Sequence, residues 1–291
     1  IDLELGKILK NPEIGTIAFE MKASGEGSTM NDMNAKLASS FSKLEFSGYD
    51  FSELELDGKL VNGKGDVNVC YQDENLDLKI DSKIELDSVQ PKIAVDLKLV
   101  GADLYALGLT EKKIRAKVMM IAHFEGNADD FKFETHLTEG VAVYDEDNYY
   151  LGPVDITASA AKDSTSMDIV SNFLNGKLRA NAGIEQITEA IQHQMEGYFA
   201  DSIDHKHEFE NPVNLQLNMK LSESKLITSF FLPEIKTMDT LELNVDFDQK
   251  EKELIANLDL PYLNYADNTI DSLKFKFDAS DKEVKFKFGF N

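Results

Sequence analysis

The sequence has one cysteine, no tryptophan and six prolines in 291 residues. A single thiol excludes an intramolecular disulfide framework and any thiolate zinc cluster. Basic residues are scarce as well: 30 Lys and Arg stand against 53 Asp and Glu, for a net charge of −23. A nucleic-acid reader needs a net basic face to neutralise phosphates, so that class is excluded. Long hydrophobic runs are missing too. The stretch Val118-Met119-Met120-Ile121-Ala122 is far too short to span a bilayer. The chain opens at Ile1 without an initiator Met, so it reads as an excised fragment whose targeting signals lie elsewhere.

What is present is alternation. Leu76, Leu78, Ile80, Ile84 and Leu86 alternate with Asp77, Lys79, Asp81, Lys83 and Glu85. Ile93, Val95, Leu97 and Leu99 do the same, as do Val213, Leu215, Leu217, Met219 and Leu221. The C-terminal part adds Leu241/Leu243/Val245/Phe247, Leu254/Ala256/Leu258/Leu260, Leu273/Phe275/Phe277 and Val284/Phe286/Phe288/Phe290. A period of two with one apolar and one charged phase predicts strands of antiparallel sheet with one solvated face. Asn62-Gly63, between two such runs, predicts a type I′ hairpin, because both central residues of that turn need positive φ. Gln72–Asn75, Asp87–Pro91, Asp145–Asn148 and Ser280–Lys282 are polar connectors of hairpin length. Each strand is expected to pair with its sequence neighbour, which makes a meander, and no βαβ rhythm intervenes.

Three helical interruptions are predicted. Ile184, Ile187, Ala190, Ile191, Met195, Tyr198 and Phe199 form the apolar stripe of an amphipathic helix over about 184–200. Its polar face carries Glu185, Glu189 and Glu196, which points to packing on the sheet rather than on a membrane surface. A shorter helix is expected from Ala102 to Leu107, ending at Gly108 as a left-handed C-cap. A single turn is expected over Ser229–Leu232, stopped by Pro233.

Helix is too scarce to cover the roughly thirteen to sixteen one-faced strands that the alternation predicts. Runs of nine to eleven residues are roughly 30 to 36 Å long. Their apolar faces must meet one another, as a sandwich, a barrel or one sheet curled along its length. The expectation is a mainly β chain, a long antiparallel meander curled into an open trough with an apolar interior. It is taken as a single elongated segment over 1–291, with a possible subdivision near 175–210. The interior either fills itself with side chains or leaves room for an apolar ligand. The candidate lining residues are Leu78, Ile80, Ile93, Val95, Leu97, Leu215, Leu217, Met219, Leu243, Val245, Phe247, Leu258, Phe275, Phe277, Phe286 and Phe288. Behind the C-terminal phenylalanines stand Lys274, Lys276, Lys285 and Lys287. These are either the solvated back of a Phe-rich core or a cationic rim near acyl chains.

Catalytic signatures are absent: no P-loop, no Gly-x-Ser-x-Gly, no Gly-x-Gly-x-x-Gly and no His-Glu-x-x-His. His205-Lys206-His207, near Asp201, Asp204 and Glu208, reads as a solvated loop rather than a metal site. Cys70 lies on the polar phase of its strand with no histidine placed to activate it. The expectation is a non-enzyme without cofactor or metal.

The order of segments resembles TamB-like proteins of the AsmA superfamily, particularly those of Bacteroidetes. The resemblance rests on Gly48-Tyr49-Asp50-Phe51, on Leu54 to Leu60, on Gly65, and on the turn Gln72-Asp73-Glu74-Asn75-Leu76. It continues through Gly101–Leu109, through Ser171–Leu178 before the long helix, and through Phe230-Phe231-Leu232-Pro233-Glu234. The resemblance implies a periplasmic protein tethered to the inner membrane by an N-terminal helix outside this sequence. It also implies a non-enzymatic conduit for phospholipid acyl chains between the inner and outer membranes. The alternative it implies is a scaffold that assists assembly of outer-membrane β-barrel proteins by edge-strand pairing. The expected partners are a phospholipid or other acyl-chain ligand, and an Omp85-type barrel protein engaged through regions absent here.

Overall fold

The structure, a computed structural model, describes residues 2–4, 14–46, 48–199, 211–280 and 283–291. It is mainly β, 65% strand, an antiparallel meander that does not close into a barrel. Contacts divide the chain into two compact units. One comprises Ile1–Asn127 with Phe133–Pro153, the other Ala128–Lys132 with Val154–Asn291. The helical region near 175–210 lies inside the second unit.

In the first unit the strands Ile14–Glu26, Asn34–Phe46, Glu55–Val61, Lys64–Gln72, Leu76–Glu85, Lys92–Asp103 and Arg115–Gly126 each pair antiparallel with the next. The hairpin between Val61 and Lys64 turns at Asn62 (φ 50°) and Gly63 (φ 70°), the two positive angles that a type I′ turn requires. A Cβ on Gly63 would stand 2.5 Å from the Met30 carbonyl oxygen, so the site excludes a side chain twice over. The polar connector after Tyr144 is shorter than expected. Asp145 and Glu146, both at positive φ, make a two-residue turn, and Asp147–Tyr150 returns as a short strand.

The expected helix from Ala102 to Leu107 is instead one turn. A bulge at Val100 carries the strand on to Asp103 and sets Ala102 opposite Leu76, which keeps the apolar phase. Only Leu107 N–H then reaches back four residues, to Asp103 C=O at 3.0 Å, while the Asp103 carboxylate accepts from Ala106 N–H at 3.1 Å. Gly108 (φ 72°) closes the turn as the sequence predicts. Its N–H donates to Tyr105 C=O at 3.0 Å and Leu109 N–H to Leu104 C=O at 2.9 Å, a Schellman ending.

In the second unit the strands Val154–Ala161, Ser164–Ser171, Leu174–Ala180, Asn214–Leu221, Leu241–Asp248, Glu253–Tyr265, Asn268–Ala279 and Val284–Gly289 pair in that order. The helix Ile184–Phe199 interrupts this order where the 3.6-residue periodicity places it. Ile187 and Ala190 are buried against the sheet and Ile191 packs beside them, whereas Ile184, on the expected stripe, is about half exposed. The turn before Pro233 begins four residues early: Thr228 N–H donates to Ser224 C=O at 3.0 Å, and a π-type turn follows over Ile227–Phe231, with Leu232 N–H on Ile227 C=O at 2.8 Å. His205, His207 and the acids around them lie outside the described residues, as do Asp281 and Lys282 of the last connector.

Candidate functional site

Register decides which side chains share a face, and here it aligns the apolar phase of strand after strand. In the first unit Met21, Ser39, Leu56, Val69, Ile80, Leu97 and Met120 follow one another directly across the pairings. A second row holds Ala23, Leu37, Gly58, Val67, Ser82, Val95 and Ala122. Of the expected lining residues, Leu78, Ile80, Val95 and Leu97 lie half-buried on this face, while Ile93, near the strand's start, is exposed. The other phase is charged, with ion pairs such as Lys79–Asp81 at 2.8 Å and Lys92–Glu125 at 3.0 Å.

One end of this face is closed by a small core of Tyr71, Leu76, Ala102 and Leu107, against which Tyr49, Phe51, Leu54 and Leu78 pack. Phe51 meets both tyrosines edge-on, at centroid distances of 4.9 and 5.5 Å. The hydroxyls of Tyr49 and Tyr71 both donate to Asp73 Oδ2, the latter at 2.8 Å, and Asn75 Nδ2 donates to the Tyr49 oxygen at 3.2 Å. Asp73 Oδ1 takes the N–H groups of Asn75 (2.8 Å) and Leu76 (2.7 Å). Burial, then the Asp73 carboxylate, pushes the Tyr71 hydroxyl far above the usual phenol range. Burial also raises the Asp73 carboxyl, but its hydrogen bonds from Tyr49, Asn75, Tyr71 and Leu76 outweigh it and hold it below the usual range. Sequence reasoning singled out these residues only as motif; the contact of two tyrosines with one turn aspartate is non-local and has no periodicity.

The second unit repeats the arrangement. Ala158, Met167, Leu178, Leu217, Val245, Ala256, Phe277 and Phe286 form one row across seven successive pairings. Ile156, Ile169, Gly176, Met219, Leu243, Leu258, Phe275 and Phe288 form the next. Met219, Leu243, Val245, Leu258, Phe275 and Phe277 are half-buried, as a lining would be. Two expected lining residues are not open. Leu215 and Phe247 belong to a third row that the helix covers, and with Ile187, Ala190 and Val213 they form a closed core, Leu217 packing at its margin. At the opposite border of the sheet Phe286 and Phe288 sit on the last strand and are 62% and 63% exposed. The charged phase carries Lys220–Glu242 at 2.6 Å and Lys274–Asp259 at 3.3 Å. Such exposed pairs each contribute about 0–1 kcal/mol, so they solubilise this face more than they hold it.

Two open hollows lie on the charged phase rather than the apolar one. One, of about 800 Å³, is lined by Lys22, Lys36, Lys59, Asp57 and Asp66 among others. The other, of about 510 Å³, includes Arg179, Gln216, Asp246 and Glu253. Neither was anticipated from alternation. Among the described residues no group of three or more His, Cys, Asp or Glu could hold a metal ion, and Cys70 is exposed. No family model, curated protein or solved structure matches the chain.

Proposed function

We propose that the chain is a non-enzymatic lipid-handling segment, in which the half-open apolar rows hold phospholipid acyl chains while the charged phase faces water. The observation that carries this reading is the register: rows of mainly apolar, mainly half-buried residues run across the strands of each unit, interrupted in the first by Ser39 and Ser82 and backed by a charged phase. An acyl chain laid along such a row leaves water at about 0.8 kcal/mol per methylene. Seven pairings at a spacing of about 4.8 Å give a row of about 34 Å. That exceeds the roughly 15 Å depth of one leaflet, half of the bilayer's ~30 Å core, so a whole chain fits on one row. The lining of Leu217, Val245, Ala256 and Phe277 offers no fixed polar anchor, and a chain can therefore slide without leaving a strong site. The core of Tyr71 and the helix Ile184–Phe199 close one end of the face in their respective units and leave the central rows open.

The resemblance in segment order supports placing this activity in the periplasm, in lipid passage between inner and outer membranes, with an Omp85-type barrel protein as partner. The test is titration of delipidated protein with a fluorescent phospholipid. Saturable uptake is expected, together with retention of lipid through gel filtration; no saturable uptake refutes the reading.

A further inference from the structure

On the charged phase of both units, lysines close on the acid directly across from them, as in Lys92–Glu125 at 3.0 Å, Lys220–Glu242 at 2.6 Å and Lys274–Asp259 at 3.3 Å. Where Lys79 faces Lys98, each is bridged to an acid of its own strand, Asp81 or Asp96. The larger hollow of the first unit is built differently. There Lys36 stands directly across from Lys59, and like charges in that position destabilise a sheet. Lys59 faces Asp66 on its other side, and Asp66 in turn faces Lys83, so one carboxylate stands among three lysines of the row. Lys22, Lys36 and Lys59 have neither an ion pair nor a side-chain hydrogen bond among the described residues. Lys22 pairs with Ala38 and Ser24 with Lys36. The two lysines thus take one diagonal, and the short Ser24 and Ala38 take the other and form a low floor between them. Residues directly opposite stand about 5 Å apart and diagonal ones roughly 7–8 Å, so three side chains as long as lysine can meet on one anion.

We propose that this hollow binds the phosphate group of a phosphate monoester, with Lys22, Lys36 and Lys59 as its donors. A monoester carries a charge of about −1.5 to −2 near neutral pH and three strong acceptor oxygens, one for each ammonium, whereas a carboxylate offers two oxygens and a single charge. Its charge offsets the Lys36–Lys59 repulsion. Asp57 and Asp66 also line the hollow, but three lysines against two aspartates leave it net positive in a chain of net charge −23. At about 800 Å³ the hollow is larger than a phosphate group, so the organic part of the ester finds room beside Ala38. The monoester is a soluble phosphate or the headgroup of a lipid; the chemistry that recognises it is the same. The site lies on the phase opposite the apolar rows, so it stands whether or not acyl chains occupy them.

The test is isothermal titration calorimetry of the full chain with three probes: glycerol 3-phosphate, dihexanoyl phosphatidic acid below its micelle concentration, and succinate as a dianion without phosphate. Saturable binding of glycerol 3-phosphate is expected, about tenfold tighter than succinate and weakened by salt. Tighter binding of the phosphatidic acid that Lys36→Glu removes assigns the site to a lipid headgroup, and equal or weaker binding assigns it to soluble phosphates; both support the proposal. Lys36→Gln and Lys59→Gln should each weaken glycerol 3-phosphate about tenfold. Lys36→Glu sets a carboxylate against Lys59, so it should abolish that binding with an unchanged or higher melting temperature. Lys220→Gln, outside the hollow, should bind as the unaltered chain does. No saturable binding of glycerol 3-phosphate, equal binding of succinate, or undiminished binding by Lys36→Glu would each overturn the proposal. Uptake of the fluorescent phospholipid is measured separately on the same variants, so failure of the acyl-chain reading is told apart from failure of this one.

Discussion

Val213 and Gln249 hold each other twice. The N–H of Val213 donates to Oε1 of Gln249 at 2.9 Å, and the N–H of Gln249 donates to the carbonyl of Val213 at 2.9 Å. Val213 is fully buried and Gln249 is 5% exposed. The side chain thus extends the ladder one step past its last backbone pair, Asn214 with Asp248, at the point where the sheet passes under the helix. Gln249→Ala leaves a buried N–H without a partner, at a cost of about 1–3 kcal/mol. Thermal unfolding followed by circular dichroism should show a clear drop, and an unchanged midpoint would refute the role.

Two phenylalanines of the same row system should differ sharply. Phe247 is 3% exposed beneath the helix, and Phe247→Ala is expected to cost about 3–5 kcal/mol. Phe288 is 63% exposed on the edge strand, and Phe288→Ala should stay within about 0.5 kcal/mol. Urea denaturation of both variants reads the contrast; equal losses would mean that Phe288 is covered in solution.

Leu217, Val245 and Phe277 share one row, Leu217 across from Val245 and Phe277 one strand beyond Ala256. In a water-filled core a lone carboxylate keeps solvation, whereas in a sealed core it costs several kcal/mol. All three are only half-buried, so Leu217→Asp, Val245→Asp and Phe277→Asp should shift melting modestly and depress lipid uptake severalfold. Collapse of stability in all three would argue against acyl chains on this row.

The Tyr49–Tyr71–Asp73 cluster makes the first unit sensitive to pH at both extremes. The Asp73 carboxyl is held below its usual value. Its contribution is therefore complete above the unfolded value, about 3.9, and is lost as pH falls through the folded one. The Tyr71 hydroxyl is raised, so its contribution is present below the unfolded value near 10 and fades as pH climbs beyond it. Asp73→Asn should flatten the acid side of the melting-temperature profile relative to the unaltered chain. An unaltered acid limb would exclude Asp73 as its source.

Alternation made the strands, their phase and their pairing order legible, because each of those follows from residues two apart or from the turn between neighbours. Ile184–Phe199 was legible for the same local reason. What alternation hides is which residues of one phase end up covered. Leu215 and Leu217 are two residues apart on the same strand, yet the first lies under the helix and the second at its margin. Only the tertiary docking of Ile187 and Ala190 separates them. Ala102 reads as the start of a helix because its neighbours Leu104 and Leu107 are spaced like one. The bulge at Val100, which keeps it in the strand, depends on the pairing with Leu76. The Tyr49–Asp73 contact spans 24 positions and leaves no trace in any short window.

Pairing of most strands with a near neighbour in sequence also sets how such a chain reaches its native state. Loop closure between neighbours such as Val61 and Lys64 involves only a few residues and costs little entropy. Successive hairpins can therefore zip from any starting point at low contact order, which favours rapid assembly for an all-β chain. The same arrangement tolerates changes in length. Inserting or removing one whole hairpin leaves the phase of every other strand intact, whereas a single-residue insertion inside a strand turns its apolar side chains to the opposite face. Variants differing by a pair of strands should thus fold alike, and variation among related chains should accumulate in units of two strands.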